Sequence, residues 1–100
     1  MFKIYVIEGR IHRTLVLEGK LVAPWIAELR TACENARADL HDRELVIEIK
    51  NLTAISQAGE NLLLELMRQG VAFRPDGVFT KHVLAQLARR AYTDFLETRR

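Results

Sequence analysis

Residues 44–67 constrain the fold more than any other part of the chain, because they predict a strand, a short loop and a helix in succession. The run Leu45–Ile49 is apolar and β-branched for most of its length, which is typical of a central strand covered on both faces. Ser56 is a favourable N-cap, and leucines then recur at helical spacing until Gly70 ends the helix. This succession favours an α/β domain.

The N-terminal third predicts a hairpin followed by a helix. Apolar residues alternate with polar ones in segments 2–6 and 11–17, with Gly9 in the turn between them and Gly19 ending the second strand. An apolar stripe begins at Trp25, directly after Pro24, and fades near residue 40. We therefore expect an antiparallel hairpin and then a first helix.

The C-terminal third predicts a short strand and a last helix. Val71–Arg74 is stopped by Pro75, so we expect an edge strand. Thr80 is expected to cap a third helix, whose apolar stripe reaches Tyr92 and Leu96. The predicted order is ββαβαβα. The fold class is α/β, with a single mixed sheet of about four strands and helices packed on it.

Composition describes an ordinary globular chain. The 100 residues are 49% hydrophobic and 28% charged, so we expect one domain over residues 1–100, with a tail that frays after about residue 96. No apolar run approaches the roughly 20 residues that span a bilayer, and the N-terminus does not resemble a secretion signal. We expect a cytoplasmic protein. The single Cys33, on the apolar stripe of the first helix, is expected to be a small core residue.

Charge gives little support for a nucleic-acid partner. The net charge is only +2. Arg89-Arg90 and Arg99-Arg100 lie on or after the last helix, where cations complement the helix dipole. A nucleic-acid footprint would need a denser basic stripe with interleaved aromatic residues. We therefore expect no binding to nucleic acid.

The residue types that carry catalysis or metal binding are scattered along the chain. The three histidines lie in separate elements, whereas a zinc site needs about four ligands at close range. Glu48 and Glu60 flank the strand–helix junction, and paired carboxylates can do acid–base work. Ion pairing of Glu48 with Lys50, and interaction of Glu60 with the helix dipole, are simpler roles. We expect no enzyme activity, no metal and no cofactor.

The junction resembles a segment of the STAS family (sulfate transporter and anti-sigma factor antagonist domains). In that family a strand ends in Asp-Leu-Ser, and after a short loop Asp-Ser-Ser-Gly opens a helix. Here Glu48–Lys50 occupies the place of Asp-Leu-Ser, and Ser56–Gly59 occupies the place of Asp-Ser-Ser-Gly. The resemblance covers about residues 2–96. The chain is similar to a divergent STAS member that lacks the usual phosphoacceptor.

This resemblance implies a non-catalytic protein-interaction module in transcription regulation of the bacterial type. In antagonist members, a kinase partner phosphorylates the hydroxyl residue after the Asp, and the phosphate releases that partner. Gln57 occupies this position and Ala58 the next, so we expect binding of an anti-sigma factor or kinase without the switch. Ser56 lies near a helix N-terminus, where a phosphate would be stabilised, but capping is its more common role.

The predicted binding surface combines the loop 51–55, the start of the second helix and an adjoining leucine. Gly59 is expected to let a partner's backbone approach closely. The segment from Leu62 to Met67 is too apolar for one narrow stripe, so Leu64 is expected to reach the surface. The candidate partner-binding residues are Asn51, Thr53, Ser56, Gln57, Ala58, Gly59, Glu60 and Leu64.

Several alternatives remain open at the level of sequence. Some STAS-like proteins act as accessory subunits bound to the ATPase of an ABC-type lipid transporter. A small-ligand sensor would use an unfilled apolar cavity between the sheet and the first helix. Trp25 and Phe79 are expected to be core or rim aromatics, with anchoring of a partner as the second interpretation. A homodimer is also compatible with the sequence.

Overall fold

A computed structural model of the protein describes residues 2–98. Its seven elements follow the predicted order ββαβαβα. Their bounds are β1 Phe2–Glu8, β2 His12–Leu21, α1 Trp25–Ala38, β3 Glu44–Ile55, α2 Gln57–Arg68, β4 Ala72–Pro75 and α3 Val78–Thr98. No helix in this part of the chain is both long and apolar enough to cross a membrane.

The four strands form one mixed sheet in the order β1-β2-β3-β4. The hairpin pairs β1 with β2 in antiparallel fashion, whereas β2–β3 and β3–β4 are parallel and are connected through α1 and α2. The parallel crossovers follow from the two strand–helix–strand units in the sequence. The predicted fold class is therefore confirmed.

The core lies between one face of the sheet and the helices. Alternate residues of β2 and β3 point to this face, and they pack against buried side chains from all three helices. Phe73 of the short strand β4 joins them at the edge. The most completely buried members of the cluster are Leu15, Leu17, Leu21, Leu29, Ile47, Ile49, Leu62, Leu63 and Leu87.

The opposite face carries the other alternating set of strand residues. One row across the sheet joins Tyr5, Val16, Glu48 and Arg74 through the strand register. Val16 is buried, whereas Tyr5 at the edge is 40% exposed. This helix-free face thus changes from apolar near β1 to charged near β4.

The predicted loop between β3 and α2 is wrong. Strand β3 continues through residues 51–55, because these residues pair with the end of β2 as far as Leu21 opposite Ile55. Two register shifts on either side of Gly19 accommodate the extra residues of β3. Asn51 and Gly19 both have positive φ, at 48° and 107°. Gly19 therefore allows the bulged pairing and does not end its strand as predicted.

The predicted end of the chain also needs correction. Helix α3 begins at Val78, so Thr80 lies in its first turn with a buried side chain and is not the cap. Leu84 and Leu87 of the predicted stripe are buried, but Tyr92 and Leu96 are 64% and 48% exposed. Helix α3 is continuous to Thr98, and fraying of the tail after residue 96 stays a prediction. Residues 99 and 100 lie outside the described residues.

A cluster of four charged residues, Glu8, Arg13, Asp39 and Arg43, joins the elements at the end of the sheet where β2 begins. We call it the Arg13 cluster. Arg13 is 7% exposed and donates to a Glu8 carboxylate oxygen at 2.9 Å, to Asp39, and to the backbone carbonyl of Ala36 at 2.8 Å. Arg43 donates to the same oxygen of Glu8 at 2.8 Å.

Electrostatics in the Arg13 cluster favours the charged forms of Glu8, Arg13 and Asp39. Hydrogen bonds from Arg13 and then from Arg43 lower the pKa of Glu8 below its ordinary value. The hydrogen bond from Arg13 likewise lowers the pKa of Asp39. The hydrogen bonds to Asp39 and Glu8 raise the pKa of Arg13 in turn. The cluster therefore fixes β1, β2 and the C-terminal end of α1 to one another.

Candidate functional site

The start of α2 is fixed by two hydrogen bonds of Ser56. Its backbone N–H donates to the carbonyl oxygen of Leu21 at 3.0 Å, which continues the β2–β3 pairing to the last residue before the helix. Its Oγ accepts a hydrogen bond from the backbone N–H of Gly59 at 3.1 Å. The predicted N-cap is therefore confirmed, and the cap sets the direction in which α2 leaves the sheet.

Gly59 is buried against the chain itself. A Cβ atom at this position would lie 2.7 Å from the carbonyl oxygen of Leu21 and 2.9 Å from Cγ1 of Ile55. Both distances are shorter than real Cβ contacts allow. The glycine therefore permits α2 to pack on the end of β2, and the expectation that it opens the site to a partner's backbone is wrong.

The first turn of α2 presents a mostly neutral polar surface. Gln57 and Ala58 are exposed, and the Gln57 side-chain amide donates to Oδ1 of Asn61 at 3.1 Å. Glu60 is half-buried and lies 3.6 Å from the guanidinium of Arg90 on α3. Sequence gave no signal for this ion pair, because the two residues are far apart along the chain. We call residues Ser56, Gln57, Ala58 and Glu60 the α2 surface.

Asn51 and Thr53 lie apart from the α2 surface. They line a shallow depression of about 250 Å³ together with Lys3, Glu18 and Gly19. Lys3 and Glu18 are paired across β1 and β2 on the helix-free face. The structure therefore divides the predicted site into a bulged depression on the sheet and a helix start.

Leu64 is buried, with 4% of its surface exposed, so its predicted position at the surface is wrong. Helix α3 packs against α2 and covers a second side of it. This accounts for the width of the apolar stripe. Exposed apolar groups occur instead at the start of α3, where Val78 and Phe79 are 87% and 47% exposed. Trp25 is half-buried, with its ring centroid 6.4 Å from that of Phe2, as expected for a rim aromatic.

The carboxylates at the strand–helix junction are separated in space. Glu48 lies on the helix-free face, 4.0 Å from Lys50 and 3.9 Å from Arg74, whereas Glu60 pairs with Arg90 on the helical side. The two groups therefore do not form the close pair that acid–base catalysis would need.

Cysteine and histidine chemistry can be judged from burial and grouping. Cys33 is buried as predicted, and desolvation raises the pKa of its thiol to about 11, so the reactive thiolate is scarce at neutral pH. His12 lies 3.7 Å from Glu44, while His41 and His82 are exposed on other elements. Within residues 2–98, no group of three or more His, Cys, Asp or Glu residues could hold a metal ion.

A surface groove lies where the small-ligand hypothesis would place its site, between β1 and α1. Its volume is about 460 Å³. Aliphatic side chains line its floor, and Glu8, Arg13 and Glu28 contribute charge. The donors of Arg13 described above already have protein acceptors, so they do not point to an anionic ligand.

Comparison with known proteins identifies the fold. No protein-family model and no curated protein matches the chain. Among solved structures, the chain is similar to an uncharacterized protein from the DUF3478 family with a SpoIIAA-like fold, from Shewanella loihica PV-4. The TM-score is 0.53 at 20% sequence identity, over 94% of this chain and 79% of that chain. The protein therefore has the SpoIIAA-like fold of STAS and anti-sigma antagonist domains, as the resemblance in its sequence implied.

Proposed function

We propose that the protein is a non-catalytic module of the anti-sigma antagonist type, which binds a protein partner through the α2 surface without a phosphorylation switch. The observation that carries this proposal is the first turn of α2 on a SpoIIAA-like fold. Exposed Gln57 and Ala58 stand at the positions where, by the resemblance to the STAS family, antagonist members carry hydroxyl residues. The expected partner is an anti-sigma factor or a related regulatory kinase.

The rigidity of the α2 surface supports this proposal. Binding is stronger when the contacting groups are already ordered, because less conformational entropy is lost on association. The Ser56 cap and the close packing of Gly59 on Leu21 hold the first turn of α2 against the sheet. The side chains of Gln57 and Ala58 are exposed to solvent, but the backbone that carries them is held in place by these contacts.

The chemistry of the α2 surface supports a permanent mode of binding. An amide and a methyl group cannot accept a phosphoryl group, so the position of the usual switch is fixed in a neutral state. Ser56 has the only hydroxyl of the α2 surface, and its Oγ is engaged as an N-cap. A partner that recognises the unphosphorylated state of a STAS antagonist would thus find that state here at all times.

The substitution Gln57→Asp tests this proposal. It places a negative charge where relatives carry phosphate, and an acidic residue in the first turn suits the helix dipole, so the fold is kept. The measurement is quantitative mass spectrometry of proteins that co-purify with the tagged chain from its native host. We expect at least one regulatory protein to be enriched with the wild type and lost with Gln57→Asp.

A matched control uses the same chemical change elsewhere. Gln86 is exposed on α3, so Gln86→Asp adds the same charge away from the α2 surface. This variant should retain the partner. If every co-purifying protein were retained equally by both variants, the α2 surface would not be the binding site and the proposal would fail.

A further inference from the structure

The two edges of the sheet differ in how well they are protected. An edge strand leaves backbone N–H and C=O groups unpaired, and proteins usually protect such edges with short strands, proline or charge. Strand β4 has only four residues and includes Arg74 and Pro75. Strand β1 has seven residues and no proline, and its charged residues are Lys3 and Glu8 near its ends. Its outer side has no strand partner among residues 2–98.

The middle of β1 is apolar on both faces of the sheet. Tyr5 and Ile7, 40% and 51% exposed, lie on the helix-free face, where they neighbour Val16 and Thr14 of β2. Val6 is 49% exposed on the helical face, beside the groove between β1 and α1. An edge strand whose outer side contacted only water would normally be polar on at least one face. The exposed side chains therefore indicate that another strand covers this edge.

We propose that β1 pairs in antiparallel fashion with β1 of a second copy of this chain, which joins two four-stranded sheets into one sheet of eight strands. The two-fold axis passes through Tyr5, the central residue of Phe2–Glu8, so that all seven residues of each strand are paired. Tyr5 then lies opposite Tyr5 of the other copy, and Ile4 lies opposite Val6. Lys3 lies opposite Ile7.

The strand is self-complementary in this register, which is what a two-fold interface requires. Opposite residues point to the same face in both copies, because each pair is either two odd-numbered or two even-numbered residues. The pairs of Ile4 with Val6, and of Tyr5 with itself, are apolar cross-strand pairs of the kind that stabilise sheets. No like charges are opposed, since Lys3 and Glu8 each lie opposite an uncharged residue.

The groove beside β1 fits the same occupant. Ile4 and Val6 are among its lining residues. In the paired sheet, Val6 and Ile4 of the second copy stand next to them and extend the apolar floor across the interface. The groove borders β1, the strand to which the second copy is added. The aliphatic residues that β1 contributes to the groove would thus contact the same residues of the second copy.

The size of the interface sets the expected strength. A seven-residue strand is about 24 Å long at 3.4 Å per residue. Pairing of one strand with its flanking side chains is small beside the interfaces of obligate dimers. We therefore expect a reversible dimer. The average molecular mass in solution should rise from that of the 11.5 kDa monomer to twice this value as the protein concentration increases.

Sedimentation velocity across low-micromolar to near-millimolar concentrations tests the dimer. Val6→Lys places a charge on each side of the axis, and this variant should remain monomeric at concentrations where the wild type dimerises. Ile11→Lys is the matched control, because Ile11 is 70% exposed in the hairpin loop outside β1. This variant should dimerise as the wild type does. A wild type that stays monomeric, or a Val6→Lys variant that still dimerises, would overturn the proposal.

Disulfide formation tests the register without relying on a destabilising substitution. In this register the two Tyr5 Cα atoms are about 5 Å apart, within the range that a disulfide can bridge. The two Ile7 residues are four positions apart along the strand direction, or about 14 Å, which is too far. Tyr5→Cys should form a covalent dimer on mild oxidation, and Ile7→Cys should not. Buried Cys33 does not compete. Equal cross-linking of both variants, or of neither, would overturn the pairing around Tyr5.

Discussion

The two ends of the sheet are held by different kinds of interaction. At the end where β2 begins, the Arg13 cluster joins three elements through charge-assisted hydrogen bonds. At the end where β2 finishes, the connection to α2 depends on a neutral cap and on the absence of a side chain at Gly59. The charged groups at the first end stabilise the fold, and they already have hydrogen-bond partners within the protein. The second end leaves Gln57 and Ala58 available at its surface.

From this difference we expect one end of the sheet to determine stability and the other to determine binding. Satisfied charges at one end of the sheet fix the positions of the hairpin and α1. The other end can then present neutral side chains for recognition, because its backbone is supported from within. Substitutions at the Arg13 cluster should therefore act on stability, and substitutions at the α2 surface should act mainly on binding.

The largest expected effect comes from Arg13→Met. Methionine retains much of the packing of the arginine stem, but it leaves the Ala36 carbonyl without its donor and Glu8 and Asp39 without their main partner. We expect a greater loss of thermal stability than for any substitution at the α2 end. Thermal unfolding followed by circular dichroism measures it.

The matched control for Arg13→Met is Arg37→Met, on an exposed residue of α1 with no hydrogen bond to the cluster. A melting temperature equal to that of this control would show that the Arg13 cluster contributes no more than an ordinary surface charge.

The pH dependence of stability should trace to the same end of the sheet. The pKa values of Glu8 and Asp39 are lowered below their ordinary values of 4.5 and 3.8. Their contribution is therefore complete above pH values of about 4 to 5 and is lost as the pH falls through the lowered folded-state values. Urea unfolding from neutral to acidic pH measures this slope. In Arg13→Met the slope should be shallower, and an unchanged slope would place the acid sensitivity elsewhere.

Gly59→Ala should have the next largest effect. Its Cβ would overlap the carbonyl oxygen of Leu21, and such overpacking costs about 1–3 kcal/mol. Because the nearest atom belongs to the backbone and cannot rotate away, the upper part of this range applies, about 2–3 kcal/mol. The higher helix propensity of alanine offsets about 1 kcal/mol of this, so the free energy of unfolding should fall by about 1–2 kcal/mol. Ala58→Gly is an informative counterpart, because Ala58 is exposed in the same turn. A Gly59→Ala protein as stable as the wild type would mean that α2 moves away from β2 without cost.

Sequence predicted the elements better than their contacts. Apolar periodicity was sufficient for the order of strands and helices, and the capping role of Ser56 is a local property that three residues define. The extension of β3 was missed because Asn51 is a residue that favours turns and has positive φ, and only pairing of the residues after it with the distant strand β2 continues the strand. The burial of Leu64 depends in the same way on α3.

The Arg13 cluster was missed for a related reason. Arg13 lies on an alternating strand and pairs with Asp39, 26 residues away, so no local pattern distinguishes it from an exposed arginine. Gly59 was predicted to allow a close backbone approach. A glycine at a helix start can allow this either to the backbone of its own chain or to that of a partner. The distinction depends on which backbone lies next to it. In this fold, that backbone is the end of β2.

The smallest expected effect comes from the cap itself, and it tests whether the α2 surface is rigid. Ser56→Ala removes the acceptor of the Gly59 N–H and should lower the free energy of unfolding by about 1 kcal/mol. The exchange rate of the Gly59 amide hydrogen should rise more than that of amides in the centre of α2. Ser56→Asp restores an acceptor and adds a favourable charge at the helix N-terminus, so both properties should recover. If Ser56→Ala left the exchange of Gly59 unchanged, the packing of α2 on β2 would be sufficient to hold the first turn. The cap would then contribute nothing to the order of the proposed binding surface.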